Sequence, residues 1–287
     1  MTATQRLRAL LAGPGLLEVP GCYDAFSALL VARAGFPAAY ISGFGVSASA
    51  LGLPDRGLMS FREILDRVSA IAAAVDIPVI ADADTGYGSP LNVYRTVREY
   101  ARRGVAGIQL EDQEWPKRCG HTEGQEVIPL EEAVAKIRAA VDARAEQDIV
   151  IVARTDARAA LGLEAAIERC LAFAEVGADV IFCEAPRSRE EMEQVCRRVP
   201  APLLANVVEG GKTPLLSREE LATLGYRLAI YPVTLLFAAA AGMTRHLETR
   251  KTGAPFPRWG DSGAFASVKD ILGFDASARR EEKYRGR

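Results

Sequence analysis

The residues most suited to chemistry lie in one segment, 107–125, which reads GIQLEDQEWPKRCGHTEGQ. An apolar run there ends in two carboxylates, and a cysteine follows among cationic side chains. Neighbouring cations lower the pKa of a thiol, so Cys119 is a candidate for proton transfer near neutral pH. If the segment forms a loop over a barrel mouth, Gly120 and Gly124 would permit it to open and close. The spacing alone is more typical of a charged surface loop. The candidate catalytic residues of this loop are Lys117, Cys119 and His121.

Acidic side chains recur where apolar, β-branched runs end. Asp82 and Asp84 stand two residues apart in ADADTGYG, so on a strand they point into the same space. Glu111 ends the next run, and Asp55 occurs in LPDRG. Carboxylates gathered at one edge repel each other unless a cation lies among them. This set holds no histidine or cysteine, so it predicts an all-oxygen site for Mg²⁺, or for Mn²⁺, in which some carboxylates act through bound water.

Eight apolar runs alternate with segments of helical period, a pattern that predicts an α/β protein. The predicted strands are LLEVPG, AAYIS, IPVIAD, GIQLED, IVIVAR, DVIFCE, PLLANV and LAIYP. Near-continuous apolar strands are typical of a parallel sheet covered on both faces. Eight alternations without a linker favour one (β/α)8 TIM-type barrel over residues 1–250. The alternative is an open doubly wound sheet, but GCYDAFSALL stands where that fold normally has GxGxxG.

The pattern changes over residues 251–287. KTGAPFPRWGDSG is rich in Gly and Pro, and short helices are predicted in AFASVKDILGF and ASARREEKYRGR. A tail of this kind often packs on a partner subunit, and a frayed end is an equally good interpretation. The run YPVTLLFAAAAGM predicts a strand end followed by a buried helix, since it is too short to span a bilayer.

Composition indicates a soluble, cytoplasmic protein. Apolar residues make up 49% of the chain and charged residues 25%, with a net charge of −2, so no nucleic acid or membrane partner is expected. No N-terminal segment has the pattern of a signal peptide. The 5 cysteines form no CxxC pair and suit reduced thiols, while 2 histidines are too few for a His-based zinc site.

Six motifs occur in a characteristic order: LPDRG, DADTGYG, LEDQ…PKRCGH, IVARTDAR, GADVIFCEAP and LANVVEGGKTP. Together they resemble the short-chain branch of the isocitrate lyase/phosphoenolpyruvate mutase superfamily. That branch includes 2-methylisocitrate, 2,3-dimethylmalate and other 2-alkylmalate lyases, oxaloacetate decarboxylases and carboxyphosphonoenolpyruvate phosphonomutase. The resemblance extends from about residue 5 to residue 245. It implies a barrel whose last helix is swapped with a neighbouring subunit, commonly within a homotetramer of two such dimers.

The resemblance also implies a role for each matching position. Asp84 would bind Mg²⁺ directly, and the carboxylates holding it through water would be Asp55, Asp82 and Glu111. The carboxylate of an α-oxo or α-hydroxy acid would lie in a cradle lined by Ser42, Gly43, Gly45, Tyr23 and Asp55. Arg154 would hold substrate oxygens opposite Glu184 and Asn206. The gating loop would comprise Lys117, Cys119, Gly120 and His121, with Cys119 as the acid/base.

The activity implied is Mg²⁺-dependent cleavage of the C2–C3 bond in a 2-hydroxy dicarboxylate, giving an α-oxo acid such as pyruvate and a carboxylate. A cation would stabilise the emerging oxo acid, and Cys119 would protonate the departing carbanion. Tyr23 or a metal-bound water would take the hydroxyl proton. Three alternatives stay open: a phosphonomutase that forms a P–C bond, an oxaloacetate decarboxylase or hydrolase, and a non-catalytic metabolite-binding barrel.

Two positions depart from the pattern of 2-methylisocitrate lyases. Phe237 stands where those enzymes carry an arginine after the eighth strand, and Val208 replaces a hydroxyl residue before Glu209. An apolar side chain in place of a carboxylate partner leaves a charge unpaired on binding, which is costly. The sequence therefore favours a smaller dicarboxylate with an apolar substituent, such as a 2-alkylmalate, over a tricarboxylate.

Overall fold

The eight predicted strands all form, and they pair in parallel around a barrel. The protein is described by a computed structural model over residues 1–144, 147–255 and 264–285. The strands are β1 Leu17–Cys22, β2 Ala39–Ile41, β3 Val79–Asp82, β4 Gly107–Glu111, β5 Val150–Thr155, β6 Val180–Cys183, β7 Leu204–Asn206 and β8 Leu228–Tyr231. Their order is β6-β5-β4-β3-β2-β1-β8-β7, and a parallel bridge between Ile181 and Leu203 joins the two ends. The predicted (β/α)8 fold is confirmed.

Helices follow the strands, and several of the described ones begin at Ser, Thr or Asp residues whose side chains cap them. They are α1 Ala3–Ala12, α2 Ala25–Arg33, α3 Gly43–Leu51, α4 Phe61–Ala74, α5 Pro90–Arg102, α6 Leu130–Arg144, α7 Ala157–Ala160, α8 Leu163–Glu175, α9 Arg189–Arg198, α10 Arg218–Leu224, α11 Thr234–Lys251, α12 Ala264–Ile271 and α13 Phe274–Tyr284. At α4 the Ser60 hydroxyl accepts the Glu63 N–H while Glu63 accepts the Ser60 N–H, which satisfies two donors at the helix start.

The two-residue alternation of the strands determines which side chains reach the site. The inward residues of the lower barrel are apolar and include Ile80, Val152, Phe182 and Leu204. Two residues further along the same inward faces stand Asp82, Arg154, Glu184 and Asn206. The change from apolar to polar therefore occurs at the carboxyl ends of the strands, which is the end where barrels of this type carry their sites.

The opposite, N-terminal rim of the barrel is closed by α1 and by paired charges. Leu7 of α1 is fully buried among the inward residues of the barrel. The Asp179 carboxylate accepts hydrogen bonds from Arg8 Nη1 at 2.9 Å, from Arg144 Nη1 at 2.7 Å and from the Ile151 N–H at 2.8 Å. This rim is held together and leaves no opening for a ligand at Leu7.

The chain divides into two compact units, Met1–Leu236 and Phe237–Arg287. In the second unit, the Lys269 ammonium lies 5.7 Å and 5.6 Å from the ring centres of Phe265 and Phe274. No residue of α11 is buried, so the expectation of a buried helix is wrong for the chain by itself. Leu235 is partly buried against the core, whereas Phe237 and Met243 are exposed. The separation of residues 251–287 as a swapped tail stays a prediction.

Residues 256–263 of KTGAPFPRWGDSG and 286–287 of ASARREEKYRGR lie outside the described residues, as do residues 145–146. Within the described part of the chain, no helix combines the length and apolar character needed to cross a membrane.

Candidate active site

Lys117 and the predicted metal-binding carboxylates form one buried group. Lys117 Nζ lies 2.5 Å from Asp55 Oδ1 and 2.7 Å from Asp84 Oδ1. Asp82 ends β3, and its Oδ1 accepts the Asp84 N–H at 3.0 Å. Burial disfavours the charged form of Lys117, but Asp84 and Asp55 outweigh it, so the pKa of this ammonium lies well above its ordinary value. Lys117, a residue of the gating loop, therefore lies in the acidic pocket with its ammonium between Asp55 and Asp84.

The donor set of this pocket fits a hard divalent cation. All of its ligand atoms are carboxylate oxygens, and Glu111 Oε1 is buried without a hydrogen-bond partner. Burial raises the pKa of Asp84 to about 6 despite the nearby Lys117, and burial also raises the pKa of Glu111. Over the described ranges, no three acidic, His or Cys side chains stand ready to hold a metal ion. The Lys117 ammonium already bridges Asp55 and Asp84, so a cation between them requires Lys117 to move.

The predicted carboxylate cradle is the N-terminus of a helix that the sequence analysis did not anticipate. Ser42 caps α3, and its Oγ accepts the Gly45 N–H at 3.2 Å. Backbone N–H groups at a helix start attract anions. A Cβ on Gly43 would lie 2.7 Å from Asp82 Oδ2, and one on Gly45 would lie 2.7 Å from Tyr23 Cβ. Both positions require glycine, Gly43 because Asp82 of the acidic pocket lies against it and Gly45 because Tyr23 does.

Arg154 is the cation of the second half of the site. Its Nε and Nη2 donate to the two oxygens of Asp156 at 2.9 Å and 2.7 Å. Glu111, its partner in the β4–β5 register, lies 3.3 Å from Nη1, and Glu184 lies 3.6 Å from Nε. Burial would raise the pKa of Glu184, but Arg154, with smaller contributions from His121 and Asn206, lowers it to about 2. An ionised carboxylate therefore faces the arginine.

The gating loop lies directly against this arginine. A Cβ on Gly120 would lie 2.5 Å from Arg154 Nη2 and 2.6 Å from Glu184 Cγ, so only glycine allows the loop to approach this closely. The Gln125 amide braces the loop from inside by donating to the carbonyls of Cys119, Gly120 and Thr122 at 2.8, 2.9 and 2.8 Å. The loop is therefore in a closed position.

The Cys119 thiol is protonated rather than ionised. Burial raises its pKa to about 11 and outweighs the His121 backbone hydrogen bond and the Arg154 charge, which lower it, while Asp55 and Glu184 add to the increase. The expectation that neighbouring cations lower this pKa is wrong, because Lys117 points to the acidic pocket and Arg118 Nη1 donates to the Gly124 carbonyl at 2.6 Å. A half-buried thiol whose pKa lies well above neutral pH suits an acid rather than a base.

His121 joins the gating loop to the segment after β7. Its Nδ1 accepts the Lys212 N–H at 3.0 Å, so the ring proton lies on Nε2. Nε2 is 3.1 Å from Glu184 Oε1, a contact too poorly aligned to satisfy that oxygen, which still lacks a hydrogen-bond partner. A Cβ on Gly211 would lie 2.6 Å from His121 Nδ1. His121 therefore closes the loop through residues that sequence analysis had not connected to it.

The structure brings the predicted residues together in two groups. The acidic group holds Asp55, Asp82, Asp84 and Lys117, and the second group holds Arg154, Glu184, Asn206, Gly120 and His121. Glu111 belongs to both, because it interacts with Arg154 as well as with Lys117 and Asp82. Cys119 lies in reach of both. Tyr23 borders the cradle through its Cβ, and burial and Asp24 raise the pKa of its phenol.

Sequence analysis assigned no role to Asp156, Asp112 and Arg169, which are linked to Arg154 by hydrogen bonds in the structure. Asp156 follows Arg154 by two residues, so the strand alternation that places Arg154 was a usable signal. Asp112 stood out only as the second carboxylate after β4. Arg169 carries no sequence signal, because it lies in an amphipathic helix and its partners are distant in sequence.

The fold and these side chains define an α/β-barrel enzyme with its site on the carboxyl ends of the strands. The chain belongs to the phosphoenolpyruvate phosphomutase family, whose model matches residues 7–250. Membership of the isocitrate lyase/phosphoenolpyruvate mutase superfamily, predicted from the motifs, is confirmed.

Three similar proteins indicate the range of this superfamily. A 2,3-dimethylmalate lyase from Eubacterium barkeri is 45% identical over 285 residues, covering 99% of both chains. The structure of oxaloacetate acetylhydrolase with 3,3-difluorooxalacetate has a TM-score of 0.94 at 37% identity and covers 100% of this chain and 98% of its own. A phosphonopyruvate hydrolase complexed with oxalate and Mg²⁺ has a TM-score of 0.88 at 31% identity, with both chains covered at 100%.

Proposed function

We propose that this protein is a Mg²⁺-dependent carbon–carbon lyase that cleaves a 2-hydroxy dicarboxylate to an α-oxo acid, such as pyruvate, and a second carboxylate. The observation that carries the proposal is the position of the half-buried Cys119 thiol, which the gating loop places between the acidic pocket and the group of Arg154 and Glu184. The 2,3-dimethylmalate lyase relative supports this reaction class, and it disfavours a phosphonomutase, a decarboxylase or a non-catalytic barrel.

The metal would be held by Asp84, with Asp55, Asp82 and Glu111 around it through water. When bound, it would supply the positive charge that stabilises the oxygen of the emerging oxo acid. Mn²⁺ would substitute for Mg²⁺ because both prefer oxygen ligands. The Mg²⁺ bound to a phosphonopyruvate hydrolase of the same fold supports this assignment.

The chain's own residues would bind the substrate at both ends. The N-terminus of α3, with Ser42, Gly43 and Gly45, would hold the carboxylate beside the hydroxyl. Arg154, opposite Glu184 and Asn206, would hold the oxygens of the departing half. The closed loop, with Lys117, Gly120 and His121, would exclude bulk water from the reacting atoms.

The proton balance assigns Cys119 its role. The hydroxyl loses its proton to a base, which would be a water molecule in the site rather than Tyr23, because burial and Asp24 raise the pKa of that phenol and keep it protonated. The C2–C3 bond breaks as the C2 oxygen becomes a carbonyl. The bonding electrons stay on C3, and the Cys119 S–H delivers its proton there. General acid catalysis of this kind contributes on the order of 10²–10⁴-fold in rate.

The substrate would be a dicarboxylate with an apolar substituent, such as a 2-alkylmalate or 2,3-dimethylmalate. Val208 and Phe237 carry this proposal, since neither offers a partner to the third carboxylate of methylisocitrate. We further propose a cytoplasmic homotetramer, a dimer of helix-swapped dimers, that acts on this small molecule without nucleic acid or membrane.

The test is oxo-acid release from a panel of 2-alkylmalates, 2,3-dimethylmalate and methylisocitrate, with Mg²⁺ or with EDTA. Cys119→Ala should reduce kcat by about 10²–10⁴-fold on the best substrate. Cys196→Ala, which removes a half-buried thiol hydrogen-bonded to Tyr226, is the matched control and should leave kcat unchanged. Activity that survives both EDTA and Cys119→Ala would contradict the proposal.

A further inference from the structure

A buried ion pair behind the barrel wall takes no part in the mechanism described above. Arg169 of α8 donates from Nη1 to Asp112 Oδ2 at 2.9 Å. Both residues are at least nine-tenths buried, with 5% and 2% of their surface exposed. A buried pair of this kind is weak evidence for stability, because removing two charges from water costs much of what their attraction returns. Its other contacts suggest a second purpose.

One branch of contacts leads from this pair to the substrate-binding arginine. Asp112 Oδ1 accepts the Asp156 N–H at 2.9 Å, and Oδ2 accepts the Thr155 hydroxyl at 2.6 Å. The Asp156 carboxylate in turn binds Nε and Nη2 of Arg154. Two donors of the guanidinium are thereby committed to Asp156, and Nη1 is left facing Glu111. Asp112 thus sets the position of the carboxylate that orients Arg154.

The other branch leads to the base of the gating loop. The loop leaves and rejoins the barrel through an antiparallel bridge between Gln113 and Val127. The Ile128 N–H donates to the Asp112 carbonyl at 3.0 Å, and Arg169 Nη2 donates to the Ile128 carbonyl at 2.8 Å. Arg169 therefore holds the outgoing end of the loop through Asp112 and the returning end through Ile128.

We propose that Arg169 and Asp112 are positioning residues that couple the orientation of Arg154 to the closed state of the gating loop. Neither residue touches substrate; both act through Asp156 and Ile128. The inference rests on the proposed function in one respect, namely that Arg154 binds a substrate carboxylate.

Arg144 and Asp179 at the N-terminal rim provide the matched control. Their contact is also an arginine–carboxylate pair, at 2.7 Å and mostly buried, but it is remote from the site. If the Arg169–Asp112 pair is purely structural, Arg169→Met and Arg144→Met will both lower the melting temperature and change nothing else.

The experiment measures two properties in the full-length protein. Titration calorimetry with oxalate at saturating Mg²⁺ reports anion binding in the site that contains Arg154. The rate of tryptic cleavage after Arg118, followed by mass spectrometry, reports loop closure. Arg169→Met should weaken oxalate binding about tenfold or more and accelerate this cleavage several-fold. Asp156→Asn should weaken oxalate binding with little change in cleavage, because the loop base stays intact. Arg144→Met should change neither property.

Each outcome decides the matter. If folded Arg169→Met binds oxalate and is cleaved by trypsin as wild type is, the inference is overturned but the proposed function is not. If the wild-type protein does not bind oxalate, both the proposed function and this inference are overturned. If Arg169→Met does not fold, Arg169→Lys replaces it, because a lysine keeps the charge but lacks the two separate nitrogens with which Arg169 contacts Asp112 and Ile128. Wild-type values for both properties in Arg169→Lys would then overturn the coupling.

Discussion

The two rims of the barrel use similar residues with different results. At the N-terminal rim, both Asp179 oxygens are bonded by arginines, and the Ile151 N–H adds a third donor. At the C-terminal rim, Glu111 Oε1 and Glu184 Oε1 are buried without hydrogen-bond partners, although Arg154 lies beside both carboxylates. Arg227 Nη1 at the N-terminal rim also lacks a hydrogen-bond partner, but it is an arginine donor and not a carboxylate oxygen.

The ion pairs of the N-terminal rim are complete and stabilise the fold. At the C-terminal rim, two carboxylate oxygens are left without hydrogen-bond partners. A buried oxygen without a partner costs about 1–3 kcal/mol, so a protein retains such groups where a ligand supplies the missing contact. Both orphaned carboxylate oxygens found in the described chain lie at the rim where barrels of this type bind ligands. We therefore expect matched changes at the two rims to separate activity from stability.

The largest expected effect is that of Arg154→Lys at the C-terminal rim. Lysine keeps the charge but loses the two-pronged contact with Asp156, so the cation no longer has a defined orientation. We expect kcat/KM to fall about 10²–10³-fold in 2-alkylmalate cleavage. A change of less than threefold would show that the orientation of this cation is unimportant for catalysis.

The next effect concerns acid stability. The pKa of Glu184 is lowered to about 2 from 4.5, so its contribution to folding is complete above pH 4.5 and is lost as the pH falls towards 2. Wild type should therefore lose up to about 3 kcal/mol relative to Glu184→Gln as the pH is lowered through this range. Urea unfolding of both proteins in EDTA between pH 7 and about pH 3 measures it. A difference that stays constant with pH would contradict the ionised state of Glu184.

At the N-terminal rim, Asp179→Asn should affect stability alone. It removes the charge that Arg8 and Arg144 share, and partial exposure of these side chains moderates the loss to about 2 kcal/mol. Thermal unfolding should show the loss, while kcat/KM of the folded protein should stay within about twofold of wild type. A large loss of activity with intact folding would remove the distinction between the rims.

The smallest effect is expected from Gly211→Ala. The new Cβ would lie 2.6 Å from His121 Nδ1, so the His121 contact with the Lys212 N–H must loosen. We expect kcat/KM to fall about tenfold, equivalent to about 1.4 kcal/mol. Gly13→Ala at the opposite rim, whose Cβ would meet nothing closer than 3.5 Å, is the control and should leave kcat/KM unchanged. Equal activity in the two variants would argue against a role of this contact in loop closure.

The eight strands and the acidic pocket were predictable from sequence because both follow from local rules. Apolar runs specify the strands, and two-residue alternation places Asp82 and Arg154 above inward apolar residues. The ion pairs of Lys117 and the contact of His121 with Lys212 were not predictable, because they depend on how a loop folds back over the barrel.

The charge state of Cys119 shows the same limit more sharply. Its sequence neighbours predicted a lowered pKa, yet burial raises it to about 11, because Lys117 and Arg118 turn towards other partners. Arg169 was invisible for a related reason, since its partners Asp112 and Ile128 lie 57 and 41 residues away in the chain. Electrostatic surroundings are set by tertiary contacts rather than by sequence proximity.

The central claim is that Cys119 delivers the proton in a carbon–carbon cleavage at the C-terminal rim. The most direct measurement is cleavage of 2,3-dimethylmalate in D₂O, with NMR analysis of the pyruvate and propionate formed. Wild type should add one deuterium at the α-carbon of propionate in a single configuration. Cys119→Ala should be slower by about 10²–10⁴-fold, with mixed configuration in its residual product. An unchanged rate and the same single configuration in Cys119→Ala would contradict the account.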